Sequence, residues 1–480
     1  MAVSKEEILK LVAEYIADKH AAKTWTAGKD WVQYAGPYFD SDEFVAATNA
    51  LLNEWLVLGE DAMKFERNFP PLLGKKHGIV VNSGSSANLI MVLTAKKCFG
   101  LKDGDKVIVP AAGFPTTVNP VIQANLTPVF VDIELDTLNL NLDQVEEAAK
   151  NGARALIFAH VLGNPPNMQR VREIKQKYNL ILLEDCCDAL GTTYEGVPVG
   201  TDADLATCSF YPAHHMTMGE GGFVACNDEL HERVARSFRE WGRGCYCVGR
   251  KANLSTKGSC GCRFSNWLPS IPDEIFDHKY VYDHIGYNLK PIELQCSMGN
   301  VQIQKLPEIH ARRRENHKRL SEIFAPYEQF FHFHKATPNS DPSWFAFPIT
   351  VRSDAYFKRS DFTFYLEDNK IQTRNYFGGN LLLQPAYAGI KYGTYLDKSE
   401  YKEYYTIDHP FPNSKTDFPV ATKVTTNTLF LGTSPVITPE QLDYVQEKVN
   451  EFFAPGYNSG KEKIGEFNHR GKRVMEKITF

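Results

Sequence analysis

Between about residue 78 and residue 226 short β-branched runs alternate with stretches of helical periodicity, and this alternation leaves few folds open. The strand candidates are Gly78–Asn82, Lys106–Pro110, Pro128–Ile133, Ala155–His160, Leu180–Asp185 and Ala206–Tyr211. Between them Ser86–Lys97, Leu142–Lys150 and Met168–Lys177 repeat apolar residues at helical spacing. A chain of this kind builds an α/β fold, with a mostly parallel sheet covered by helices on both faces. Ligands of such sheets gather beyond the carboxyl ends of the strands. The chemically loaded residues fall there: Ser83-Gly-Ser-Ser after the first strand, Phe114 after the second, Asp185 at the end of the fifth and Ser209 to His214 after the sixth.

At 480 residues the chain exceeds one ordinary core. The pattern divides it into an N-terminal helical arm (1–44), a large domain (45–325), a smaller α+β domain (326–455) and a tail (456–480). A charged helix near residues 300–330 joins the two domains. A hydrophobic content of 43% with 23% charge is that of a soluble globular protein. The net charge of −5 gives no reason to expect a nucleic-acid partner. No apolar run is long enough for a membrane span or a signal peptide, so the expectation is a cytoplasmic protein.

Three segments carry the chemistry. Asn82-Ser-Gly84-Ser85-Ser86 follows a strand and opens a helix, and free amides with small side chains make a phosphate cradle. Glu184-Asp185-Cys186-Cys187-Asp188 ends an apolar strand in carboxylates, and a buried carboxylate can keep a ring nitrogen protonated. Ser209-Phe-Tyr-Pro-Ala-His214-His215 places an imidazole, a good proton-transfer group near neutral pH, after a strand end. The cysteines are crowded as well. Cys187, Cys245, Cys247 and Cys260 have the spacing C-x57-C-x-C-x12-C, and Cys262 follows closely. Four soft ligands suit an iron–sulfur cluster or a structural zinc. Cys98, Cys186, Cys208, Cys226 and Cys296 lie in apolar patterns and read as core residues.

Together these segments resemble the sugar aminotransferase-like DegT/DnrJ/EryC1 family, and within it the iron–sulfur 3-dehydrase branch. In most of that family a lysine stands where this chain has His214. The resemblance covers roughly residues 45–455 and implies an aspartate-aminotransferase-like (type I) fold and a homodimer. It also implies pyridoxamine 5′-phosphate held non-covalently. Gly84, Ser85 and Ser209 would meet its phosphate, Phe114 its ring, Asp185 its nitrogen and Asp188 its hydroxyl side. Asn288, in Gly286-Tyr287-Asn288, would reach the phosphate of the neighbouring subunit. His214 would be the base in place of the lysine, with Tyr211 assisting, and His215 is the less favoured alternative. Cys187, Cys245, Cys247 and Cys260 would hold a [2Fe–2S] cluster. The loop before Cys260 is longer than the family's, which leaves Cys262 open as the fourth ligand.

The implied reaction is C3 deoxygenation of a nucleotide-linked 4-keto-6-deoxyhexose, CDP-4-keto-6-deoxyglucose first and a dTDP-linked 2,6-dideoxy sugar next. Its electrons would come from a separate NAD(P)H-dependent flavin or iron–sulfur reductase, because the chain has no Gly-x-Gly-x-x-Gly dinucleotide element. Three rivals stand beside this reading. An ordinary sugar aminotransferase is disfavoured by the missing lysine. A cluster-free dehydrase that regenerates its coenzyme with glutamate would lack the four cysteines. A zinc-stapled scaffold would have no use for the cofactor residues.

Overall fold

The computed structural model describes residues 3–387, 390–394, 402–403 and 417–454. The expected tail at 456–480 lies outside them. A mixed sheet runs through the centre in the order His77–Val81, Gly222–Cys226, Leu205–Ser209, Ile181–Asp185, Ala155–Ala159, Lys106–Pro110 and Thr127–Val131, then the short Lys391–Thr394 and Lys402–Glu403. From Leu205–Ser209 to Lys391–Thr394 all neighbours are parallel. Gly222–Cys226 is antiparallel to both of its neighbours.

The periodic segments form where the pattern places them. Lys106–Pro110 and Leu142–Lys150 have the expected bounds, and the other strands and helices agree to within a few residues. Helix Gly84–Cys98 starts because the Ser83 hydroxyl accepts a hydrogen bond from the Ser86 amide, and it buries Ala87, Ile90, Met91 and Ala95. Helix Met168–Tyr178 stops at Asn179, whose backbone takes the left-handed conformation that asparagine tolerates.

Two differences affect the site. The strand expected at Ala206–Tyr211 ends at Ser209, since Phe210 bonds instead to Gly221 and Met218 and closes a loop around His214. Strand Gly222–Cys226 was not foreseen. It enters between Leu205–Ser209 and His77–Val81, and a side chain at Gly222 would lie 2.2 Å from the Ser83 carbonyl oxygen.

The connecting helix is longer than its charged stretch, running Glu293–Phe324. Beyond it, Phe331–Phe333, Ala346–Val351, Thr428–Gly432 and Arg374–Asn375 form a second, antiparallel sheet. Phe324, Phe331, Phe347, Phe362 and Phe452 fill its core, which also receives Val32 from the N-terminal arm. The two sheets do not have separate interiors. Phe345, Tyr376, Leu381, Val424 and Phe430 from the C-terminal half share one core with Val109, Ile157 and Leu183 of the parallel sheet. Among the described residues no helix is long and apolar enough to cross a membrane.

Candidate active site

The carboxyl ends of the parallel strands meet the start of helix Gly84–Cys98. Gly84 is the point of closest approach: a Cβ there would lie 2.5 Å from Ser209 Cβ and 3.3 Å from Cys187 Sγ. Only a glycine lets the helix N-terminus approach both strand ends. Ser85 is exposed in the first turn, and Ser209 is buried with its hydroxyl 3.4 Å from the Tyr211 amide.

Asp185 is the buried carboxylate at the centre. Its Oδ2 accepts from Asn88 Nδ2 and Thr117 Oγ1, each at 2.8 Å, while Oδ1 accepts from the Cys187 amide at 3.1 Å. Asn88 is itself fixed by Thr207, whose hydroxyl donates to Asn88 Oδ1 at 2.6 Å. Residues alternate sides along a strand, so Glu184 faces away from Asp185, while the chain turns at Cys187 just beyond the strand end. On that far side Glu184 bonds to His160 Nε2 at 2.8 Å and to the Gly200 amide at 2.7 Å. His160, Glu184 and Cys186 hold their potential ligand atoms within 4.8 Å of one another, but Glu184 Oε2 is already committed to these two donors.

His214 lies beside the turn that follows this strand. Its Nδ1 is 3.4 Å from Asp188 Oδ1, and its ring packs edge-on to Tyr211 and tilted against Phe345. The neighbouring His215 is turned inward, fully buried, with Nε2 2.7 Å from the Ser343 carbonyl oxygen. Burial and the adjacent Arg313 charge hold its pKa well below the ordinary histidine value. Of the two histidines, His215 is thus enclosed while His214 lies beside the Asp188 carboxylate. Phe114 and Tyr211 are about half exposed at the same mouth, with Phe114 edge-on to Phe377. Asn288 is exposed, in a segment tied beside the cradle by the Asn82 amide, which donates to the Leu289 carbonyl at 2.8 Å.

The cysteines divide into two places. Cys187 lies in the cradle, where burial, with Asp185 next to it, pushes its pKa well above the usual thiol value. The others gather in the 245–262 loop. The Ser259 amide donates to Cys247 Sγ at 3.2 Å, and a Cβ on Gly258 would lie within 3.6 Å of both Cys247 and Cys260 sulfurs. All of these thiols are free, and the Cys245 thiol neighbours that of Cys247 as the Cys262 thiol neighbours that of Cys260. Burial pushes the Cys245 thiol up to about 11. At Cys247 burial acts the same way, but the Ser259 amide and the Cys245 thiol outweigh it and hold the pKa below the ordinary value. Among the described residues no three of these sulfurs lie within 4.8 Å of one another.

Sequence reasoning missed the partners of the predicted residues. Asn88 and Thr117 had a readable signal, since each lies within the first five residues of a helix that follows a strand. Arg313 had none, because it reaches the site from the long connecting helix.

A mostly parallel sheet with this cradle defines the α/β fold of the sugar aminotransferases and dehydratases. Residues 37–401 match the DegT/DnrJ/EryC1/StrS aminotransferase family, and the chain belongs to it. It is 41% identical over 453 residues to the lipopolysaccharide biosynthesis protein RfbH of Salmonella typhimurium, covering 94% of this chain and 98% of that one. It is 39% identical to the dTDP-4-dehydro-2,6-dideoxy-D-glucose 3-dehydratase of Saccharopolyspora spinosa, over 94% and 92% of the two chains. Among solved structures it resembles the E. coli GDP-4-keto-6-deoxy-D-mannose-3-dehydratase with bound hydrated PLP. The TM-score is 0.72 at 26% identity, over 88% of this chain and 99% of that one.

Proposed function

We propose that this chain is a vitamin B6-dependent 3-dehydrase of a nucleotide-linked 4-keto-6-deoxyhexose, acting with pyridoxamine phosphate. The observation that carries the reading is His214, an imidazole beside Asp188, three residues on from the buried Asp185, where an aminotransferase of this family has its lysine. The dehydratase names of the relatives at 39% and 26% identity support it.

The residues present fit the coenzyme. The cradle has no room for a side chain at 84, Asp185 has one oxygen with a single amide donor, and the buried Asn82 Oδ1 has no partner among the described residues. Bound there, pyridoxamine phosphate supplies an amine for the sugar's C4 ketone and an electron-accepting ring. The amides that open helix Gly84–Cys98 and the Ser209 hydroxyl hold the phosphate. Asp185 keeps a proton on the ring nitrogen, and Asn88 and Thr117 fix it for that role. Phe114 offers a flat apolar surface at the mouth. His214 takes a proton at Nε2 while Asp188 stabilises the charge at Nδ1, and Tyr211 assists departure of the C3 hydroxyl.

Replacing C3–OH by C3–H consumes two electrons and two protons and releases water, and repeated turnover needs those electrons from an external reductant. Cys187, Cys245, Cys247 and Cys260 are the ligands we assign to a [2Fe–2S] cluster, with Cys262 as the alternative to Cys260. A cluster of this kind passes electrons singly. An NAD(P)H-dependent reductase is the electron source, and a homodimer brings Asn288 to the neighbouring phosphate. We place the reaction in the cytoplasm, with CDP-4-keto-6-deoxyglucose as substrate.

The test is anaerobic purification with iron, sulfide and coenzyme quantified, then turnover with and without reductase on CDP- and dTDP-linked keto-sugars. Iron with a reductase requirement is expected. Stoichiometric amino-sugar formation with an amino donor would mark an aminotransferase, and iron-free turnover with glutamate alone would mark a cluster-free dehydrase. Preference for the dTDP sugar would move the substrate assignment only.

A further inference from the structure

Arg313 is 1% exposed, yet no carboxylate forms an ion pair with it among the described residues. It comes from the middle of helix Glu293–Phe324. Its Nη2 donates to the carbonyls of Ala213 and His214 at 3.2 and 2.9 Å, and its Nη1 to those of Phe345 and Trp344 at 3.1 and 3.5 Å. Burial lowers its pKa to about 9, with Asp188 acting against the shift, so the guanidinium is still charged at neutral pH.

Burying a charge without a counter-ion is costly, and a planar fork of donors meets several fixed carbonyls as no other side chain can. The carbonyls that receive it are informative. Two belong to the turn that carries His214. The other two belong to the segment leading into strand Ala346–Val351, and Phe345 in that segment packs its ring 5.4 Å from the His214 ring. The Trp344 carbonyl also accepts from Thr433 Oγ1 at 2.6 Å, which fixes this segment to the C-terminal sheet. One guanidinium thus holds the backbone of the proposed base and the backbone of the ring beside it.

We propose that Arg313 is a positioning residue for His214, clamping the 213–214 turn against the 344–345 segment so that the imidazole stands in one orientation. The proposal rests on the reading of His214 as the base. A misplacement of about 1 Å in a catalytic group can cost on the order of a hundredfold in rate. The hydrogen bonds Arg313 makes all go to backbone carbonyls, so its loss should act on kcat and leave binding alone.

The experiment compares Arg313→Met, Arg313→Lys, His214→Asn and the double variant Arg313→Met/His214→Asn. Arg313→Met should lower single-turnover dehydration about 10- to 100-fold with coenzyme affinity and KM within about twofold of the parent. Arg313→Lys, with three donors for four carbonyls, should recover part of the loss. In the double variant the Arg313 change should add nothing to the His214 loss, since both act through one imidazole. In apoprotein the His214 ring resonances, assigned by their absence from His214→Asn, should move or broaden in Arg313→Met.

Fully additive losses, or unmoved His214 resonances, would overturn the clamp. So would a rise in coenzyme Kd that accounts for the lost rate. If Arg313→Met does not fold, Arg313→Lys and Phe345→Leu carry the same comparisons. A His214→Asn protein as active as the parent would overturn the reading of the base itself, a result that differs from any failure of the clamp.

Discussion

The Asp185 cradle and the 245–262 loop both carry residues that this family's chemistry would need, and the chain builds them differently. Asp185, Asn88, Thr117, Thr207 and Ser209 are all buried, on strand ends or at helix starts, and the first four are joined by side-chain hydrogen bonds of 2.6–2.8 Å. Cys245, Cys247 and Cys260 are half-buried and Cys262 exposed, in a segment with only the four-residue helix Arg250–Asn253 and the two-residue strands Phe264–Ser265 and Phe276–Asp277 for support. The cradle is organised before any ligand arrives, which is the condition for electrostatic catalysis. The loop holds sulfurs in pairs, and a metal group that binds them would draw its geometry from binding. Preorganisation belongs to the acid–base half of the site, and adaptability to the redox half.

Substitution of His214 by Asn tests the cradle's half most severely. Dehydration should fall about 10²- to 10⁴-fold with the coenzyme spectrum retained. Cys245→Ser should lower iron content at least about tenfold and stop net reduction, with partial dehydration still measurable. A Cys245→Ser protein that lost its coenzyme as well would show the two regions to be one unit and break the comparison.

The scaffold of the cradle is probed by Glu66→Gln. Glu66 accepts from Arg239 at 2.8 Å and Arg236 at 2.9 Å, and Arg239 also donates to the Val80 carbonyl in the strand that leads to Ser83. Breaking a buried pair of this kind costs about 3–5 kcal/mol, measurable by denaturant unfolding. Burial raises the Glu66 pKa, but the two arginines outweigh it and hold the carboxyl below its ordinary value. A depressed carboxylate stabilises above its unfolded pKa, about 4.3, and that contribution is lost as the pH falls through the lower folded value. The difference between variant and parent should therefore shrink in acid.

Two smaller effects sharpen the contrast. Thr117→Val removes one donor to Asp185, and the loss of about 1 kcal/mol should raise the coenzyme Kd about fivefold in an absorbance titration. In metal-free protein Cys247 should be alkylated first on raising the pH, because its pKa is held down while those of Cys245 and Cys187 are pushed up. Faster labelling of Cys187 would mean that the cradle is more open than its packing indicates.

Much of the site was legible because the information was local. Asp185 ends an apolar strand with Cys187 two residues on, and Gly84 follows a strand and opens a helix. The partners were not legible. Thr207 reaches Asn88 across 119 positions, and Arg313 reaches His214 across 99. The antiparallel strand Gly222–Cys226 was hidden for a related reason, since a five-residue apolar run specifies burial but no neighbour.

The sequence by itself determined the α/β class, the order of most elements and the residues that stand at the strand ends. Periodicity and turn chemistry act over a few residues and survive without tertiary context. Only the tertiary structure decided which donors converge on Asp185, that His215 is enclosed while His214 faces Asp188, and that the loop sulfurs pair apart from the cradle. Those outcomes depend on contacts between distant segments, whose geometry is set by how the two sheets share one core.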